Sequence, residues 1–179
     1  MGLNNTGGKV TYLNLKQGKF ARKNANGDID LFDSVEGVIT SAEFKDDEYN
    51  GTSFRKISLV LQDGEERYIL QVRCDSGYYR GLTNSIANAD ISKPVKLVAS
   101  SKEVNGKPQT TIFVSQSGQA LKWKWTKDNP GNLPALESVK LKGKTVYDNS
   151  AQQAFYEQFW ATLFNSVSPV GEASDDLPF

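Results

Sequence analysis

The sequence of 179 residues contains no histidine. Imidazole acid–base chemistry, histidine metal sites and Ser-His triads are therefore excluded. The single cysteine, Cys74, allows neither an internal disulfide nor a zinc cluster. It lies in a strand-like run and reads as a buried, inert thiol. No apolar run approaches the ~18 residues of a membrane-spanning helix. The polar opening Met1–Gly8 has none of the features of a secretory signal, so the expectation is a cytoplasmic chain with no membrane partner. No Gly-rich loop closes in Gly-Lys-Ser/Thr, because Gly7-Gly8-Lys9-Val10 lacks both the earlier glycine and the hydroxyl. Asp46, Asp47 and Glu48 share one polar segment with no second carboxylate cluster beside it, and read as a solvated turn rather than a metal site. The expectation is a protein without catalysis, metal or cofactor.

Basic residues are also missing from one end. Residues 145–179 hold no Lys or Arg and five acids: Asp148, Glu157, Glu172, Asp175 and Asp176. Residues 1–144 hold all 21 basic residues against 16 acidic ones, a charge of +5 that the formal net charge of zero conceals. A basic body with an acidic tail fits a body that binds a polyanion and a tail able to mimic one. A local basic groove, not the overall charge, sets the field that a phosphate backbone meets.

Residues 9–16 and 19–23 read as two short strands around Gln17-Gly18, a small basic hairpin. A polar loop with Asn26-Gly27 follows. Five strand-like runs then cover roughly 35–44, 54–62, 67–73, 94–102 and 109–116. Residues 45–51 form a polar loop between the first two. Asp63-Gly64 joins the second and third, and Asn105-Gly106 the fourth and fifth. Between the third and fourth, Tyr79, Leu82, Ile86 and Ala89 recur at helical spacing behind Ser76, a candidate cap. Three strands, a helix and a hairpin is the order of the OB-fold, a five-stranded Greek-key barrel that binds oligonucleotides across its strands. A small β-sandwich is the rival reading. The expected architecture is mainly β: that barrel with an N-terminal β-hairpin, one internal helix and a C-terminal helix.

Residues 120–126 are expected to add a strand, 127–148 to be irregular, and 150–166 to form a helix with Ser150 and Gln153 at capping-box spacing. Phe155, Phe159 and Leu163 share one stripe of that helix, and Tyr156, Trp160 and Phe164 the next. The domain reading is 1–126 for the binding domain with its hairpin, 127–167 for the irregular segment and aromatic helix, and 168–179 for an acidic tail.

Single-stranded nucleic acid is held by rings that stack on bases beside cations that follow the phosphates. Lys122, Trp123, Lys124 and Trp125 offer both types. As a strand they would place the tryptophans on one face and the lysines on the other, so either the rings meet bases or the lysines meet phosphates. The hairpin adds Tyr12, Lys16, Lys19, Phe20, Arg22 and Lys23. Arg67, Gln71 and Arg73 share the polar face of the third barrel strand, with Arg55 and Lys56 beside them on the second. For any one of these residues ordinary surface charge is the commoner explanation, and the cluster carries the argument.

The tail closes in Asp175, Asp176, Leu177, Pro178 and Phe179, two carboxylates before an apolar peg suited to a small pocket rimmed by Lys or Arg. Together with the Tyr12-Leu13-Asn14-Leu15-Lys16 hairpin, the OB-like strands and the helix entry Ser76-Gly77-Tyr78-Tyr79-Arg80, this tip resembles phage-type OB-fold single-stranded DNA-binding proteins with an acidic C-terminal tip. The resemblance covers most of the chain in layout, and only the tip is a compact motif. It implies a protein that coats exposed DNA in replication and recombination and recruits replication or repair proteins through Asp175–Phe179. The tip has two Asp rather than a longer run, and an aromatic helix stands where bacterial members carry a Gly/Gln/Pro-rich linker. A monomer or dimer is therefore expected rather than the bacterial tetramer. The alternative is a non-catalytic β-barrel adaptor that docks other proteins through the C-terminal helix and tip, without nucleic acid.

Overall fold

The computed structural model describes residues 10–165. The chain divides into two compact units, 1–124 and 125–179.

The first unit is built on a mixed nine-stranded sheet in the order β3-β2-β1-β6-β5-β4-β7-β8-β9. β1 (Val10–Lys16) and β2 (Lys19–Lys23) form the expected hairpin, and β3 (Ile29–Phe32) adds to β2. The long strands β4 (Ser34–Tyr49) and β5 (Thr52–Asp63) turn at Asn50-Gly51, whose φ values of 51° and 79° suit Asn and Gly. β6 (Glu66–Arg73), helix α1 (Gly77–Ile86), β7 (Val95–Val104) and β8 (Lys107–Gln116) follow, with a two-residue β9 (Gln119–Ala120) at the edge. β4, β5 and β6 are successive antiparallel neighbours, and β7 returns beside β4. That is the Greek-key order.

The five expected runs correspond to β4–β8, but they do not close into a five-stranded barrel. The edge of β6 that closure would offer to β8 is taken by β1, which pairs with it in parallel from Val10↔Arg67 to Leu13↔Leu70. The outer edge of β8 is covered by β9. Covering an edge satisfies the backbone groups that would otherwise recruit another strand. Three further expectations are corrected. The polar segment 45–49 is strand, because its backbone continues the antiparallel ladder with β5 from Lys45↔Lys56 to Tyr49↔Thr52. The strand expected over 120–126 stops at Ala120. The segment expected to be irregular holds the hairpin of β10 (Glu137–Leu141) and β11 (Lys144–Asp148), turning at Lys142-Gly143.

Period-two alternation decides the core. Ile57, Leu59 and Leu61 on β5, Leu70 on β6 and Leu97 on β7 are fully buried, each worth ~1.5–3 kcal/mol of burial. Cys74 is also buried and in no disulfide. Helix α1 starts at Ser76, whose Oγ accepts from Tyr79 N at 3.4 Å, as expected of a cap. Tyr79, Leu82 and Ile86 form its buried stripe. The helix lies close to β8 because two positions on it are glycine. A Cβ on Gly77 would stand 2.2 Å from the Thr110 carbonyl oxygen, and one on Gly81 would stand 2.0 Å from Thr111 Oγ1.

The second unit centres on Trp125 and helix α2 (Ser150–Asn165). Trp125 is buried, with Phe155 and Phe159 edge-on at 5.0 and 5.5 Å between ring centres. Tyr156 and Trp160 are buried too, and Trp160 stacks on Phe164. At the helix start, Asp148 Oδ1 accepts from the Ser150 N–H at 2.8 Å and from its hydroxyl. Gln153 N donates to Asn149 O, which places the cap at Asn149 rather than at Ser150. Among the described residues, no helix is long and apolar enough to cross a membrane.

Candidate nucleic-acid interface

Strand register assigns each candidate side chain to a face. On β5 the core side carries Ile57, Leu59 and Leu61, so Phe54, Lys56 and Ser58 point to the other side. Through the pairs Lys56↔Arg73, Ser58↔Gln71 and Gln62↔Arg67, that outer face continues onto β6. Through Val10↔Arg67 and Tyr12↔Ile69 it continues onto β1, where Tyr12, Asn14 and Lys16 alternate with the buried Leu13. Through Asn14↔Ala21 and Lys16↔Lys19 it reaches β2, with Lys19 and Lys23. The outer face therefore gathers Tyr12, Lys16, Lys19, Lys23, Lys56, Arg67 and Arg73 across four strands.

Two hollows lie along it. The first, of ≈ 300 Å³, is lined by Asn14, Leu15, Asp47, Phe54, Lys56, Gln71, Val72, Arg73, Ser76 and Tyr78. The second, of ≈ 530 Å³, is lined by Val10, Thr11, Tyr12, Asn14, Arg22, Lys23, Asn24 and Ala25. Asn14 borders both, so the two form one track from Lys23 to Lys56 and Arg73. Tyr78 fixes the wall between helix and hairpin, because its hydroxyl accepts from Gly18 N at 2.8 Å. Gly18 has a φ of 79°, and a Cβ there would lie 2.7 Å from Ser101 N.

The cations differ in how their charge is balanced. Arg73 donates from Nε and Nη2 to the two Asp75 oxygens at 3.0 and 2.7 Å, and its guanidinium lies 4.2 Å from the Phe54 ring centre. Lys56 donates to Asp47 at 2.8 Å. Lys19 is paired with Asp33. Hydrogen bonding to Arg73 holds the Asp75 carboxyl below its ordinary range, and hydrogen bonding to Lys56 does the same for Asp47. Lys16, Lys23 and Arg67 make no ion pair among the described residues, and all three are exposed. Tyr12 is 59% exposed, a ring facing water on a sheet surface.

Several residues read from sequence lie elsewhere. Phe20 is completely buried and has no surface to offer a base. It sits on the inner side of the hairpin, because β2 places it opposite Leu15 and Phe32. Arg22 lies on the Phe20 side of β2 by strand parity, bonded to Asp30 at 2.8 Å and lying 5.0 Å from the Phe32 ring centre, and it reaches the second hollow only at its border. Arg55 points away from Lys56, with Asp46 at 2.9 Å and the Phe44 ring at 5.6 Å. The segment Lys122–Lys124 is no strand, so period two does not govern it. It is anchored to α1 by Lys124 N donating to Asn84 O, and to the turn after α1 by Asn88 Nδ2 donating to Lys122 O. Trp123 is 38% exposed there, whereas Trp125 is buried in the second unit. Asp175, Asp176, Leu177, Pro178 and Phe179 lie outside the described residues.

Sequence reasoning missed Phe54 and Asn14 as lining residues; of Tyr78 and Tyr79 it expected one in the core and one at the barrel mouth, without saying which, and Tyr79 is the buried one while Tyr78 lines the hollow. Phe54 was legible in principle, since it shares parity with Lys56. Asn14 was not, because its place depends on the parallel pairing of β1 with β6. The arrangement offers cations for phosphates, rings and amides for bases, and among the described residues no cluster able to hold a metal ion. Comparison with protein-family models, with curated proteins and with solved structures found no match.

Proposed function

We propose that this chain binds single-stranded DNA with little sequence selectivity, without catalysis, on an OB-type Greek-key domain formed by β4–β8. The observation that carries the reading is the outer face of β1, β5 and β6. The two hollows there hold the exposed Tyr12 ring and the Phe54–Arg73 pair, with Lys23 from the adjoining β2, and the same outer face carries Lys16 on β1 and Arg67 on β6; these three lysine and arginine side chains make no ion pair among the described residues. Rings need unpaired bases, and one stacked base is worth ~1–3 kcal/mol, so a single base on Tyr12 separates single strands from duplex by about five- to a hundredfold. Fluorescence anisotropy with labelled oligo-dT and a duplex of equal length tests this. Equal affinity for both, or binding indifferent to salt, overturns it.

In the same reading, the acidic tip Asp175–Phe179 docks replication or repair proteins in the cytoplasm and competes weakly with DNA for the track. Deleting residues 172–179 should leave strand affinity equal or higher and abolish partner capture.

A second reading, a non-catalytic adaptor, is favoured by a different observation. Val139, Leu141 and Val146 form an apolar stripe on one side of the β10–β11 hairpin, and they are 46–57% exposed. An adaptor would bind no oligonucleotide in the anisotropy assay.

A further inference from the structure

The hollow beside Phe54 has a lining that phosphate binding alone does not require. Leu15, Val72 and the rings of Phe54 and Tyr78 make its apolar part. Asn14 and Gln71 both line it, and Asn14 also lines the second hollow. Asn14 follows Leu13 and Gln71 follows Leu70, so the parallel register turns both amides to the outer face, one step beyond the inward Leu13–Leu70 pair. Lys56 Nζ donates to Gln71 Oε1 at 3.4 Å, which leaves the Gln71 amide hydrogens directed away from Lys56. The Asn14 amide makes no hydrogen bond among the described residues. Two bonds to Asp75 hold Arg73 with its guanidinium carbon over the Phe54 ring, 4.2 Å from its centre. The volume of ≈ 300 Å³ is at the lower end of small-ligand pockets, roughly 300–1,000 Å³.

We propose that this hollow is a base-reading subsite: it takes one unpaired base of the bound strand, stacked in the Phe54–Arg73 corner, with the Asn14 and Gln71 amides on its edge. The inference rests on the strand-binding reading above and deepens it, since it predicts a base preference within otherwise sequence-tolerant binding. Available donors outnumber acceptors here: the Gln71 amide hydrogens, the Asn14 amide and the Lys56 ammonium stand against the Asn14 carbonyl and Asp47. An edge rich in carbonyl oxygens suits that set, so thymine is favoured over adenine. Amides read unpaired bases on their exposed edges, where no partner base competes.

The experiment measures anisotropy with oligo-dT and oligo-dA of equal length, for wild type, Asn14→Ala/Gln71→Ala and Phe54→Leu. Oligo-dA stacks on itself, so the wild-type ratio alone decides nothing. The change in that ratio between proteins decides. The double variant should lower the dT-over-dA ratio by about five- to a hundredfold, the range of a good amide–base contact, with its salt dependence unchanged. Phe54→Leu should weaken both strands. Asn14 is exposed and Gln71 lies on the outer face, so the variants should melt as wild type does, and single Gln71→Ala repeats the test if the double variant does not.

Binding of both strands with an unchanged ratio overturns the subsite and leaves the strand-binding reading standing. Failure of wild type to bind either strand overturns both. A calorimetric titration with thymidine monophosphate separates a base in a strand from a free nucleotide. Tight, saturable binding of the monophosphate, undiminished by an excess of oligo-dT, would assign the hollow to a free nucleotide and overturn the proposal.

Discussion

Replacing Asp47 and Asp75 together by Asn tests how the track handles charge. Each carboxylate neutralises a cation that faces the proposed strand, Lys56 and Arg73 respectively. A cation already paired within the protein has no counterion to surrender and must first leave its carboxylate to meet a phosphate. Lys16, Lys23 and Arg67 face no such exchange. For single strands, the logarithm of affinity falls with the logarithm of salt by about 0.7 per phosphate neutralised. Three unpaired cations then give a slope of about −2, and freeing two more steepens it to about −3.5. Both carboxylates are solvent-facing and surface pairs of this kind contribute about 0–1 kcal/mol each, so the variant should stay folded and melt only slightly below wild type. Its affinity for oligo-dT at low salt should rise, and the gain should shrink as salt is added. The assay is an anisotropy titration repeated across a salt series. A slope no steeper than that of wild type, in a variant that stays folded, would show that Lys56 and Arg73 do not meet phosphate and that the reasoning fails.

Gly77→Ala should destabilise the first unit by ~1–3 kcal/mol through overpacking. The new Cβ would meet backbone, the Thr110 carbonyl oxygen at 2.2 Å, and a thermal melt that is unchanged or raised would contradict that packing. Trp160→Ala should cost ~3–5 kcal/mol, as for a buried indole, because Trp160 is only 1% exposed; a loss below about 1 kcal/mol in urea unfolding would mean that the helix face is not held. Asp75, Asp47 and Asp30 titrate below the ordinary 3.8 in the folded chain, because they bond Arg73, Lys56 and Arg22. Depressed folded values stabilise above that pH, and the contribution is lost as pH falls through them. The urea midpoint should therefore drop below about pH 4, less steeply in Asp75→Asn, and a midpoint flat with pH would remove the pairs from the account.

Much of the fold was written locally. Gln17-Gly18, Asn50-Gly51 and Asn105-Gly106 turn the chain with positive φ, and alternation fixes which side of β5 and β6 is core. Helix α1 follows from Ser76 and the Tyr79, Leu82, Ile86 spacing. The outward Arg67, Gln71 and Arg73 on β6 were legible for the same reason, since period two is a property of one strand.

What a strand pairs with is not local. Nothing in residues 10–16 announces that β1 lies parallel to β6, because a parallel partner is joined by no tight turn. That pairing occupies the edge a closed barrel needs and carries Asn14 to Gln71. Nor does strand propensity separate Trp123 from Trp125. Their alternation with lysine reads as a strand, yet hydrogen bonds to α1 and the turn after it hold the one segment and a cluster of rings on α2 buries the other tryptophan. Phe20 and Tyr12 show the same division. Both are aromatic residues in a basic hairpin, and composition treats them alike. The sequence by itself determined that rings and cations would alternate on short strands; the tertiary structure alone decided which ring fills the core and which faces water, because burial depends on what the rest of the chain places opposite.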